Sequence, residues 1–168
     1  MDTQAFSPVT MCLSKVTLAA GTTTTISTTG TTIYSIRGKA YSKAAITNGA
    51  TPTTDWATGN AFLPVSQNQG SIFMVGLDHS GNVKVIQGTV TALDSGGNFI
   101  TAPQFGGDGP SGSATTDGDF CPIGYIVIQA GSTAVGTWTF GTNNLSSVTG
   151  LTYTFVDVVG WPDRPQVS

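Results

Sequence analysis

The run from Cys121 to Pro165 constrains the fold more than any other part of the chain, because nearly every residue in it suits a strand or a turn. Ile126, Val127 and Ile128 form an unbroken apolar run rich in β-branched side chains, the pattern of a strand buried on both faces. Gly131-Ser132-Thr133 interrupts it as a connection would, and the spacing predicts a second strand over Val135–Phe140. A turn over Gly141–Asn144 follows. Leu151, Tyr153 and Phe155, with Thr152 and Thr154 between them, predict a third strand with one packed and one wet face. The C-terminal third therefore reads as an antiparallel meander in the middle of a β-sandwich.

Composition supports the same class. All nine acidic residues are Asp, and there is no Glu. Asp favours turns and caps where Glu favours helix, so long surface helices are not expected. Charged residues make up 9% of the 168, against roughly 25% in an average soluble protein. With a net charge of −3 there is no basic field to hold a phosphate backbone, which argues against nucleic acid as a partner. So few ions favour association, unless Thr, Ser and Asn supply the missing polarity. No stretch reaches the ~18 apolar residues of a membrane helix, and no membrane is expected as a partner. The start, MDTQAFSPVTMCLSKV, lacks a basic segment followed by an apolar run, so it does not read as a secretory signal. Cys12 and Cys121 lie in no metal or redox motif and are expected as reduced, buried thiols.

Three further regions organise the chain. Residues 1–14 read as an extended N-terminal arm, 15–159 as the sandwich domain, and 160–168 as a C-terminal tail in which Pro162 and Pro165 bracket Asp163-Arg164. Ser71–Leu77 is a second wholly apolar strand. Asp78–Asn82 reads as a hairpin turn, and the return strand Val83–Leu93 loses its alternation near Gly88, where a bulge is expected. The Gly- and Asp-rich stretch 94–119 reads as a long surface loop or a partner-ordered arm.

Candidate sites are few. Arg37 and Lys39 are placed on one face of a strand running from Thr32 to Tyr41. They would contact a small anion or an acidic partner, or, the weightier alternative, keep an edge charged against strand addition. Lys43–Thr47 has room for one helical turn. Trp56 lies in a loop and would serve as a binding anchor or fold back over the core. Trp161, Pro162, Asp163, Arg164 and Pro165 suit a tail that lies on a neighbouring subunit. Asp78-His79-Ser80 has the residue types of a hydrolytic triad, but consecutive turn residues point apart, so no catalytic residue is assigned. Asp117 and Asp119, with Asp108 nearby, would offer oxygens to a cation but lack the ligand ladder of a calcium loop. No cofactor and no metal site is expected.

The segments IYSIRGKAYSKAAITNGATPTTDW (33–56) and CPIGYIVIQAGSTAVGTWTFGTNN through GWPDRP (121–165) resemble, in style, the head decoration or cement proteins of tailed bacteriophages. Together they cover under half of the chain, and no shared motif transfers a functional residue. The resemblance implies a jelly-roll-like β-sandwich with extended arms, located on the virion head. It further implies a non-catalytic role, with the major capsid protein and copies of itself (a dimer or trimer) as partners. The alternative is a carbohydrate- or receptor-binding module of a tail fibre or baseplate, with Tyr34, Tyr41, Trp56 and Trp138 as stacking candidates.

Overall fold

A computed structural model describes residues 9–106 and 118–167. The chain is all-β and every sheet is antiparallel, with no helix among the described residues, the 43–47 segment included. The central sheet contains β7 (Gln69–Leu77), β8 (Val83–Gln87), β9 (Thr91–Ala92), β10 (Cys121–Ala130) and β11 (Leu151–Asp157). Its order is β11-β10-β7-β8, with β9 also on β7. Smaller sheets are built from β1 (Met11–Cys12), β4 (Thr32–Ile36) and β5 (Lys39–Lys43), and from β2 (Ala19–Ala20), β3 (Thr25–Ser27) and β6 (Gly49–Ala50).

The unbroken apolar runs become β7 and β10, the two strands of the central sheet with a neighbour on each side and side chains buried on both faces. Alternation along β7 sends Phe73, Val75 and Leu77 to one core and Ile72 and Met74 to the other. On β10, Cys121 and Ile123 face the same core as Ile126 and Ile128, which breaks strict alternation. A bulge restores it: Pro122 pairs with Gly76 and Gly124 with Val75, so Ile123 is an extra residue. Pro122 has no N–H to donate, which favours an irregular ladder at that point. Two glycines on β7 admit crossing rings, since a Cβ on Gly76 would lie 2.5 Å from Phe120, and one on Gly70 2.5 Å from Phe99.

The Asp78–Asn82 hairpin forms as expected, closed by Asp78 N–H to Asn82 O. The anticipated irregularity near Gly88 is present too. Phe73 pairs with Gln87 but Gly70 with Thr91, three steps on one strand against four on the other. The predicted strand over Val135–Phe140, however, does not exist. Trp138 alone bridges Val65, and Thr139–Asn143 curls into a turn. Both edges of β10 are taken by β7 and β11, so this β-prone segment cannot pair with the strand it follows. It serves as a lid on the core instead, with Trp138 and Phe140 packed on Phe73.

The expected arms are corrected where they can be described. Residues 9–14 are part of the fold: β1 pairs with β4, Cys12 is buried, and its N–H meets Val159 O at 2.7 Å. The tail turns back over the second core, where Trp161 packs on Phe105 and Phe120 and Gln166 N–H meets the Tyr125 hydroxyl at 2.6 Å. The 94–119 loop is tied down over its described first half. Asp94 accepts from the Gly96 and Asn98 N–H groups, Leu93 bridges Phe99, and Phe105 packs on Tyr125. Residues 107–117, with Asp108 and Asp117, lie outside the described residues.

Candidate interaction surface

Charged groups, scarce in this chain, gather around the β7–β8 turn. The Asp78 carboxylate accepts from the Ser80 and Asn82 N–H groups and the Asn82 side chain, with Lys84 Nζ 3.7 Å away. Burial alone would raise its pKa, but these donors outweigh it and hold the carboxyl below its ordinary value. The Asp78 carbonyl accepts from the Tyr34 hydroxyl at 2.8 Å, and burial, with the Asp78 charge, pushes that phenol up to about 12.

His79 meets a carboxylate that lies forty residues away in sequence: its Nδ1 is 2.5 Å from Asp119 Oδ2, and its N–H bonds Asp119 Oδ1 at 2.7 Å. The tertiary fold thus supplies the orienting carboxylate that consecutive residues could not. A hydroxyl or thiol on the other ring nitrogen would be needed for nucleophilic chemistry. Among the described residues none is bonded there. Asp119, one of the candidate cation ligands, is engaged by His79, and no three His, Cys, Asp or Glu side chains converge among the described residues.

The placement of Arg37 and Lys39 on one strand face is overturned. Arg37 and Gly38 are the two central residues of the β4–β5 hairpin, with φ of +51° and +78°. Both positive angles mark the turn whose twist suits a two-residue hairpin. The Arg37 guanidinium lies against Gly118, while Lys39 Nζ sits 5.4 Å from the centroid of the Tyr41 ring. Trp56 takes the folded-back position. Its ring covers the second core, with Lys84 Nζ 4.1 Å from the ring centre, and the Trp56 main-chain N–H bonds Val85 O.

Trp161, Pro162, Asp163, Arg164 and Pro165 form one wall of an open groove of about 520 Å³, with Ala102–Phe105 as the other. Asp163 and Arg164 remain exposed there. Of the four aromatic stacking candidates, Tyr34 and Trp138 are fully buried, and Tyr41 stacks on Tyr34.

A different surface was missed from sequence. Val9, Leu13, Ile33 and Val159 are 54%, 55%, 47% and 67% exposed. Leu13 N–H bonds Ile33 O directly, while Val159 O accepts from Cys12, the neighbour of Leu13, and Val9 O accepts from Gly38 of the β4–β5 turn. They line the outside of the β1–β4 pair and the end of β11. The Leu13–Ile33 pair, exposed side by side, marks a contact site more strongly than scattered exposed residues do. Alternation around Cys12 and Tyr34 was the available signal, since their flanks Leu13 and Ile33 must point the other way.

Near one end of this surface, Asp157 accepts from the N–H groups of Thr17 and Leu18 at 3.0 and 2.8 Å, fixing the segment after β1 to β11. Among the described residues no helix is long and apolar enough to cross a membrane. Searches of protein-family models, curated proteins and solved structures find no match to this chain.

Proposed function

We propose that the chain is a non-catalytic structural protein of a virion, a decoration or cement protein that binds the outside of an assembled phage head and stabilises contacts between capsomers. The observation that carries this reading is the exposure of Leu13 and Ile33 side by side, with Val9 and Val159 also exposed, on a chain with very few charges. A protein that binds only the assembled shell stabilises it by linkage, in proportion to its occupancy. Leu13 and Ile33 are held by main-chain pairing on the sandwich, so little entropy is lost when they dock. On this reading the sheets are those of a jelly-roll-like sandwich, and the partner is the major capsid protein.

Purified heads lacking the protein provide the test. Wild-type protein added back should bind at saturating stoichiometry and raise the temperature at which the heads rupture. Leu13→Asp, a change at an exposed side chain, should leave the melting of the free protein within about 0.5 kcal/mol and lower occupancy at least tenfold. Failure of wild-type protein to bind, or undiminished binding by Leu13→Asp, refutes the reading.

The carbohydrate-binding alternative is favoured by the groove between Phe105 and Trp161, where aromatic edges border an open space of about 520 Å³. Binding on a glycan array that is lost in Trp161→Ala but kept in Leu13→Asp would select it.

A further inference from the structure

The outer edge of the central sheet carries an inference that does not depend on shell binding. β11 has β10 on one side only. Val158 N–H bonds Ile123 O, and the register places these two residues opposite each other. Antiparallel ladders alternate, so Thr152, Thr154 and Val156 exchange bonds with β10, while the main-chain groups of Tyr153, Phe155 and their odd-numbered neighbours point away from the sheet. Two contacts agree with this phase, because Leu151 N–H turns to Val148 O and Val159 O accepts from Cys12. Those bonds, with Asp157 holding residues 17 and 18, close both ends of the edge. Between them the outward N–H and C=O groups of Tyr153 and Phe155 meet no partner among the described residues.

This open stretch has none of the usual protection. From Leu151 to Val156 there is no charge, no proline and no bulge, and Thr152, Tyr153 and Thr154 are all exposed. Its sequence, Leu-Thr-Tyr-Thr-Phe-Val-Asp, is self-complementary about Thr154.

We propose that β11 pairs antiparallel with β11 of a second copy of this chain, about a twofold axis at Thr154. Tyr153 then lies opposite Phe155 of the second copy, and Phe155 opposite its Tyr153. The outward groups of these residues exchange about four main-chain hydrogen bonds. Within one chain the Tyr153 and Phe155 rings already meet edge-on at 5.9 Å, so the pairing joins two such pairs into a row of four rings on one face. Thr152 faces Val156 on the other side, and Asp157 faces Leu151. No like charges oppose each other, although each chain has a net charge of −3. An isologous contact of this kind closes on itself and buries the open edge.

The register makes the inference testable by cross-linking. Thr154 is the non-hydrogen-bonded pair at the axis, with Cα atoms ~4.5 Å apart, within reach of a disulfide. Thr152 lies two residues from the axis, so its Cα atoms are ~13 Å apart at about 3.3 Å per residue. Full-length Thr154→Cys, oxidised with copper–phenanthroline as electron acceptor, should become a reducible dimer, and Thr152→Cys should not. The native thiols are both buried and unbridged. Sedimentation of the wild type over a concentration series should show a dimer. Thr154→Lys, which places two ammonium groups together at the axis, should raise its dissociation constant at least tenfold without changing the circular dichroism spectrum. A wild type that stays monomeric at high concentration, equal cross-linking at 152 and 154, or a dimer untouched by Thr154→Lys overturns the proposal.

Discussion

Replacing Trp138 with alanine tests whether the irregular segment between β10 and β11 is a structural lid or a displayed binding surface. Trp138 is 2% exposed and meets Phe73 and Phe140 edge-on, with centroids 5.5 and 5.8 Å apart. Its indole N–H donates to Asn144 O at 3.0 Å, and its main chain exchanges two bonds with Val65. The truncation removes the ring from a site walled by two other rings, neither of which can collapse far into the gap. Such changes cost about 3–5 kcal/mol, of which the indole hydrogen bond supplies ~1 kcal/mol. In a domain of this size that lowers the melting temperature by about 10–15 °C. Trp138→Phe keeps most of the ring contact and should cost only ~1–2 kcal/mol. Urea unfolding followed by far-ultraviolet circular dichroism, which does not depend on the lost chromophore, reads both variants. An alanine variant within 1 kcal/mol of wild type at unchanged urea dependence would refute the packing argument, and would return Trp138 to the candidates for sugar stacking.

Two carboxylates should shift acid stability in opposite directions. The Asp78 pKa is lowered from its ordinary 3.8, so the stability it contributes is full above that value and is lost as pH falls through the folded-state pKa. The Asp55 pKa is raised, by burial first and against the N–H of Ala57, so its charge opposes folding and stability is regained as pH falls from above the raised value towards 3.8. Asp78→Asn should therefore flatten the acid loss of stability and Asp55→Asn should steepen it, as measured by urea midpoints from pH 7 down to about 3. Parallel profiles would show that the two environments are wrongly described. Trp161→Ala should cost about 2–3 kcal/mol, because the ring fills the space between Phe105 and Phe120. It should also speed amide exchange of Gln166, whose N–H bonds Tyr125. Unchanged melting would mean that the tail is the separable arm first inferred from its prolines.

The limits of the sequence reading fall at identifiable residues. Alternation alone carries Arg37-Gly38 inside a long strand, whereas two successive positive φ angles turn the chain there. His79 was set aside because its sequence neighbours could not orient it, yet a carboxylate arrives from Asp119. The loop sequence suits Trp56 equally to anchor and to cap, because nothing local reports the second core that receives it.

By itself, the order of residues determined the two buried strands, the hairpin turn after Leu77 and the irregularity near Gly88. Buried β-branched runs leave few alternatives for β7 and β10, and turn residues act within a few positions of themselves. It also determined the all-β class, through composition without helix-forming acids. Only the tertiary structure decided which β-prone segments found a partner. A strand is completed by hydrogen bonds to another strand, so Val135–Phe140, which bridges Val65 through Trp138 alone, stayed irregular, and β11 was left with an open edge. Exposure is likewise a property of the assembled neighbours: alternation turns Leu13 and Ile33 away from Cys12 and Tyr34, but only the pairing of β1 with β4 sets them side by side and leaves their face uncovered.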